Sequence, residues 1–568
     1  MMIQAKPLIS VILLMMLSHA LLPSSNYLRA QVSIQDYIAY EKTSNFIKEF
    51  NVPVQERGLK GITTDAENNA WFYHGTSNDS MIIKMSKEGT NFTKYDIPGD
   101  TTVDDAIINL AGGQLLFDNL SNSIWFTDAR INSLGKLNPK SGDLELFFIP
   151  TNDSGVMGLA LSPDRKSIWF TEITGNKIGS FNIENKKITE YPVGDNSGPT
   201  LLKFDSKGVL WVTLTYDNSI LRVEPWLLIP GITSTGIYRI SLEKPDFFSP
   251  FGLAIVQVKG VDKIFVSDHG SSRVIDANIN SELKNYTSYW TSPSTALPMS
   301  LPSQVVSDKY GNIFFVEHGG NRIAKISSEN MVMTEFEIPT GPLATSVFLT
   351  VSEDLNRIWF TEWASNKIGY LDNSVGVPLI MSTTNNESNP SNPGLRPLVL
   401  HQGQNSSVNV SLTLDKNLIP LVLSNDTQLS VVGMTDVGFQ GIGYTLDPQT
   451  VNLMKVPQRD IHVNFKVQKE NAIAGNYTIM IRASLLEKDG LIVSSLYPLL
   501  VKLDVPTKPS EISKVQNFQE FSPKMTESSD TSAMVVRDLI RGGAIAAAIV
   551  LVAYLLYRNI GRIKFKKS

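Results

Sequence analysis

The 568-residue chain contains no cysteine. That absence removes disulfide frameworks, thiolate metal sites, thiol nucleophiles and iron–sulfur clusters together, so any metal has to be held by oxygen and imidazole. A strong charge of either sign is missing as well: 50 Lys and Arg stand against 55 Asp and Glu, a formal net charge of −5. Without a basic field, no nucleic acid partner is expected. Charge is absent altogether over the 16 residues from Gly542 to Tyr557, which Arg558, Arg562, Lys564, Lys566 and Lys567 follow. Such a run spans about 24 Å as a helix against a hydrocarbon core of ~30 Å, and its basic flank gives it the pattern of a stop-transfer segment.

At the other end, Lys6 precedes the apolar stretch "PLISVILLMML" and the small residues Ser18 and Ala20. Residues 1–30 therefore read as a secretory signal, cleaved after Ala20 or Ala30. The expected topology is a single-pass cell-membrane protein, with a transmembrane helix over 542–557, a cytoplasmic basic tail over 558–568 and everything before them outside. Ten N-x-S/T sequons between Asn78 and Asn476 agree with an extracellular glycoprotein.

A chain this long exceeds one core unless a repeat absorbs it. Seven phrases supply that repeat: "AWFYH", "IWFTD", "IWFTE", "LWVTL", "IFVSD", "IFFVE" and "IWFTE". Their aromatic anchors are Trp71, Trp125, Trp169, Trp211, Phe265, Phe314 and Trp359, spaced 54, 44, 42, 54, 49 and 45 residues apart. That is the length of a four-stranded propeller blade with variable loops. Seven residues after the anchors stand Asn78, Asn132, Asn176, Asn218, Ser272, Asn321 and Asn366. Asn tolerates the left-handed conformation of a tight turn, so each copy reads as strand, turn, strand.

A further phrase, "E-F-x-I-P", marks an outer strand; it is missing after the last anchor and appears before the first as "KEFNVP". The N-terminal strand is thus expected to close the ring and remove its free edges. The fold class expected is all-β: a seven-bladed β-propeller over 46–380, a linker over 381–397, an immunoglobulin-like β-sandwich over 398–505 and a stalk over 506–540. The sandwich rests on alternating segments such as "SVNVSLTL" and "HVNFKVQ", and on Tyr477 two residues after Gly475, as at the strand corner of such domains.

Three residues past the anchors come His74, Asp128, Glu172, Leu214, Asp268, Glu317 and Glu362, with His269 and His318 directly after two of the acids. All of these fall at one strand end. Carboxylates crowded at a channel mouth repel one another, and a divalent cation relieves that, so Mg²⁺ or Ca²⁺ held by Asp268, Glu317, Glu362, Glu172, Asp128 and His74 is one expectation. His269 and His318 are the candidate catalytic residues. The alternative is that the acids accept hydrogen bonds from neighbouring blades in a repeated structural role.

The phrases "IWFTEITGNKIGSF", "IWFTEWASNKIGYL" and "IWFTDARINSLGKL" resemble the repeats of the streptogramin lyase (virginiamycin B lyase) family of seven-bladed propellers. The resemblance runs from Phe46 to about Leu371. It implies a catalytic His in a "P-H-G/A-I" phrase, paired with a Mg²⁺-binding Glu of the "WFTE" phrase. Here the matching phrases carry Met157, Thr200, Phe251 and Ser303 instead of His, while Glu317 and Glu362 retain the acidic half. Loss of a general base removes about 10²- to 10⁴-fold in rate, so antibiotic cleavage is not expected. The leading reading is a surface protein that binds a ligand or partner on the propeller's open face. A divalent-metal-dependent lyase or lactonase-type hydrolase, and a structural envelope protein, are the alternatives.

Overall fold

A computed structural model describes residues 42–504, apart from 104–111, 231–234, 242–248, 259, 282, 284–285, 294–298, 342–343, 384–396, 423–426, 434–441 and 468–473. The expected signal, stalk, membrane segment and tail lie outside the described residues. Among the described residues the structure is β-strand joined by turns and short 3-10 segments, and no helix is long and apolar enough to cross a membrane.

The propeller-type part consists of four-stranded antiparallel meanders, numbered here by their anchors. Meander one, for example, runs Leu59–Thr64, Ala70–Gly75, Ser80–Met85 and Phe92–Asp96. Among the described residues seven such meanders occur, and the last takes its outer strand from the N-terminal side: Ile47–Asn51 pairs with Lys367–Asp372 in the register Ile47↔Leu371. The first strands of successive meanders lie against each other around the ring, Ser346–Val351 of meander seven returning to Leu59–Thr64 of meander one.

The anchors hold the turns. The indole N–H of Trp71 donates to Asp65 at 2.8 Å and that of Trp211 to Asp205 at 3.0 Å, while the same carboxylates accept backbone N–H groups from their own turns. Each acid thus fixes both its hairpin and a fully buried ring. Asn132, Asn176, Asn218, Asn321 and Asn366, with Ser272, adopt φ between 51° and 56° in the second turn. Asn78 does not, because the strands of meander one pair one residue further, which shifts its four-residue turn by one position, and the turn closes through the Thr76 hydroxyl and Asp79. Beside this turn in three meanders a glycine is obligatory: a Cβ at Gly135, Gly179 or Gly369 would lie 2.0 to 2.3 Å from the ring of Phe126, Phe170 or Phe360 on the paired strand.

The second β-rich part begins earlier than the sequence predicts. Leu379–Thr383, assigned above to the propeller's end and the linker, is a strand paired with Asn405–Leu414. These two strands, with Gln458–Val467 and Ile442–Asp447, form one sheet. The other contains Leu398–His401, Ile492–Asp504, Gly475–Leu486, Thr427–Gly433 and Thr450–Val451. Val408, Val410, Leu412, Ile461, Val463, Phe465, Ile479, Ile481, Val501 and Leu503 fill the space between them. This second sheet does not end at the domain's edge. Ile492–Asp504 pairs with Met333–Glu337, the outer strand of meander six, in the register Met333↔Leu496, making one sheet of nine strands. The join buries Met333, Met480 and Leu496 together and covers an edge that would otherwise expose unpaired backbone groups.

Candidate functional site

Successive side chains of a strand point to opposite faces, so neighbouring positions of the "WFTE" phrase face different meanders. Two residues past the anchor, a hydroxyl reaches forward to the next meander. Thr127 donates to Met157 O, Thr171 to Thr200 O, Thr213 to Phe251 O, Ser267 to Ser303 O and Thr361 to Lys60 O, at 2.6 to 2.8 Å. The last of these closes the ring from meander seven to meander one. The carbonyls reached belong to one register position on the inner strands, where the backbones approach so closely that the next residue in three of them is Gly61, Gly158 or Gly252. A Cβ there would lie 2.1 to 2.6 Å from a neighbouring carbonyl oxygen.

One residue further, the acids face the other way and are fully buried. They do not gather at the mouth. Asp128 accepts from Ser80 Oγ at 2.5 Å and from the backbone N–H of Arg130 at 2.9 Å. Glu172, Asp268, Glu317 and Glu362 each stand directly across the hairpin from a base: Lys177, Arg273, Arg322 and Lys367. Arg273 Nε donates to Asp268 at 3.0 Å, and Arg322 donates to Glu317 from Nε at 2.8 Å. In three meanders a second carboxylate from the outer strand joins the base. Lys177 lies 2.8 Å from Glu190, Lys367 3.2 Å from Glu49, and Arg322 3.7 Å from Glu335.

Two carboxyls share one cation in each of these places, which leaves one of them short of charge. Burial pushes Glu172, Glu317 and Glu362 up to about 8, with Glu190, Glu335 and Glu49 adding to the shift and Arg322 opposing it at Glu317. Glu172 is thus largely protonated at neutral pH, and Glu317 and Glu362 hold their protons to higher pH than an ordinary carboxyl. Both oxygens of Glu172, and Oε1 of Glu317 and Glu362, have no hydrogen bond. His74 is also buried and donates from Nε2 to Glu56 O at 3.0 Å. The six expected metal ligands therefore sit in separate interfaces. Among the described residues no group of three or more His, Asp or Glu is placed to hold a metal ion, so the residues present do not fit the resemblance's Mg²⁺ site.

What does converge at the mouth is apolar and aromatic. Leu59, Ala129, Met157 and Ile173 form one cluster with Tyr216, Phe251 and Val347, drawing on six of the seven meanders, which only the centre of a ring permits. His269 and His318 border it, their rings 6.3 Å apart, with Phe251 5.6 Å from His269. Each imidazole is oriented by the next meander: His269 Nδ1 lies 3.1 Å from Pro302 O, and His318 Nδ1 3.2 Å from Ser346 O. A carbonyl only accepts, so both Nδ1 atoms carry hydrogen, and in neutral His269 Nε2 holds the lone pair. Burial pushes His269 down to about 4, with His318 adding to the shift.

Sequence reasoning missed two members of this site. Lys60 occupies the same inner-strand position as Phe251 and Met157, a match visible as "LKGI" beside "PFGL" and "VMGL". Burial pushes its ammonium down to about 8, against the attraction of Asp128. Tyr216, whose hydroxyl is buried without a partner and pushed up to about 12, gave no repeat signal.

Residues 45–226 match the model of the virginiamycin B lyase family. The propeller is virginiamycin B lyase-like. Among solved structures, "Streptogramin B lyase structure" is 23% identical, covering 58% of this chain and 97% of that one, with a TM-score of 0.48. Virginiamycin B lyase from Staphylococcus aureus, and its catalytically inactive variant with quinupristin, are each 24% identical, covering 57% of this chain and 98% of theirs, with TM-scores of 0.47. No curated protein matches the chain.

Proposed function

We propose that the protein is a cell-surface binding protein: a seven-bladed propeller with an immunoglobulin-like sandwich, anchored through 542–557, that takes an apolar or aromatic ligand at the propeller mouth without metal. The observation that carries this reading is the exchange of faces. The acids are turned into the interfaces and matched with bases, while Phe251, Tyr216, Met157, Ile173 and Val347 line the centre. Apolar walls with a few convergent polar groups are the usual make-up of a small-ligand site. Here Lys60, His269 and His318 are those groups.

Against the metal-dependent lyase or hydrolase stands the lack, among the described residues, of three or more His, Asp or Glu placed to hold a cation, and His269 is a poor stand-in for its base. An imidazole held near 4 is neutral at physiological pH but weakly basic, far from the pKa near the operating pH that general-base catalysis favours. The test is calorimetric titration of the full chain in detergent with Mg²⁺, Ca²⁺ and Mn²⁺, then with quinupristin, followed by mass analysis of the recovered antibiotic. No saturable metal binding is expected, and quinupristin is expected to bind, to return intact, and to bind at least tenfold more weakly in Phe251→Ala, about the 1.4 kcal/mol of one lost aromatic contact. Metal binding abolished by Glu317→Gln/Glu362→Gln, or antibiotic returned cleaved, would overturn this reading in favour of the enzyme.

A further inference from the structure

Strands of a meander alternate in direction, so the turns between its first and second strands, and between its third and fourth, lie on the face opposite the mouth. In meanders four to six this face is apolar. The connection between Ser219–Val223 and Ile237–Ser241 carries "PWLLIP", in which Trp226 is 60% exposed, Leu227 43% and Ile229 47%. Val261 in meander five is 40% exposed and Tyr310 in meander six 67%.

These side chains sit on adjoining turns. Trp226 lies over Gly208, where an added Cβ would be 3.9 Å from its ring; Ser206 Oγ donates to Asp262 at 2.7 Å; and Gly311 lies against Val258. Lys207 and Lys309 are exposed on the same turns, the latter with its ammonium 5.4 Å from the Tyr310 ring. Single exposed apolar residues are ordinary, whereas five on adjoining turns of one face make a patch that marks a contact surface.

We propose that this face docks on a lipid bilayer carrying anionic headgroups. Trp and Tyr settle at the membrane–water boundary because one end of each is apolar and the other polar. Leu227 and Ile229 supply apolar side chains to bury beneath the headgroups. Lys207 and Lys309 supply the charge that anionic headgroups attract, whereas the core of a protein–protein interface is depleted in lysine. Pro225 and Pro230 bracket the apolar stretch and restrict its backbone, which lowers the ordering cost of inserting it. Docking by this face turns the mouth, with Phe251, His269 and His318, toward the aqueous side. The inference concerns the opposite face and stands whether or not the mouth binds a ligand.

The absence of native cysteine permits a direct test. Leu227→Cys, and Asn152→Cys on the mouth side, are each labelled with the environment-sensitive fluorophore NBD in the full chain, reconstituted into phosphatidylcholine vesicles with and without phosphatidylserine. The expected result is blue-shifted emission at 227, quenched several-fold more by doxyl-labelled lipid than at 152, and weakened in Lys207→Glu/Lys309→Glu. Water-like emission at both positions, or equal quenching at both, overturns the proposal. A blue shift at 227 without lipid quenching also overturns it, and assigns the patch to a second copy of the chain.

Discussion

Replacing Glu172 by Gln tests the claim that this buried acid is neutral. In wild type the carboxyl is raised from 4.5 to about 8, chiefly by burial. A raised acid holds its proton in the folded chain and releases it in the unfolded one, so the folded state binds more protons between pH 4.5 and 8, and stability falls as pH rises through that window. Below 4.5 both states are protonated and nothing is lost. The single-site difference amounts to about 1 kcal/mol at pH 5 and about 3 kcal/mol at pH 7. Gln has the same shape and no titration, so Glu172→Gln is expected to gain roughly 2 to 3 kcal/mol on wild type between these two pH values. For a folded unit of this size that is about 2–3 °C in thermal midpoint. Midpoints of both proteins from intrinsic fluorescence across pH 5 to 8 read the effect. Parallel pH profiles would refute the reasoning and mean that Lys177 neutralises Glu172 as well as Glu190.

Two further changes probe the ring. Thr171→Val keeps the shape but removes the hydroxyl that donates to Thr200 O at 2.6 Å and accepts from Gly158 N–H at 2.8 Å. It is expected to destabilise by about 1–3 kcal/mol, read as a lower unfolding midpoint, because two buried backbone groups lose their partner. Gly179→Ala places a methyl 2.1 Å from the Phe170 ring and is expected to lower the midpoint by about 1–3 kcal/mol of overpacking, whereas Gly260→Ala, with open space around it, should show only the smaller strain of its positive φ.

The all-β, propeller-type fold was legible because its signals are local. Anchors, turn acids and turn asparagines recur at fixed spacing, and the structure shows what each does for its own hairpin. The acids were visible but their direction was misjudged. Their partners also lay in plain sight, since "TEITGNK", "SDHGSSR", "VEHGGNR" and "TEWASNK" each carry a base five residues after the acid, and a four-residue turn sets those positions opposite each other. The pairing of Met333–Glu337 with Ile492–Asp504 had no such signal. Strands more than 150 residues apart meet through backbone groups that every residue carries, and the alternation of "MTEFE" looks like that of any outer strand.

The same reasoning separates structure from recognition around the ring. A repeat retains what the fold requires, so the forward-reaching hydroxyl recurs because a meander has a neighbour to hold, and the acid–base pair recurs because it ties its own hairpin. The position four past the anchor behaves differently: Gly75, Ala129, Ile173, Thr215, His269, His318 and Trp363 are six residue types at one place in the repeat on the mouth side. Packing alone does not demand such variety. The bulky rings fall together in meanders five to seven, beside Phe251, while Gly75, Ala129 and Ile173 leave the opposite half low. A ligand entering the mouth therefore meets an aromatic wall on one side only, and substitutions at His269, His318 or Trp363 should weaken binding more than enlargement of Ala129, which narrows the open half without touching that wall.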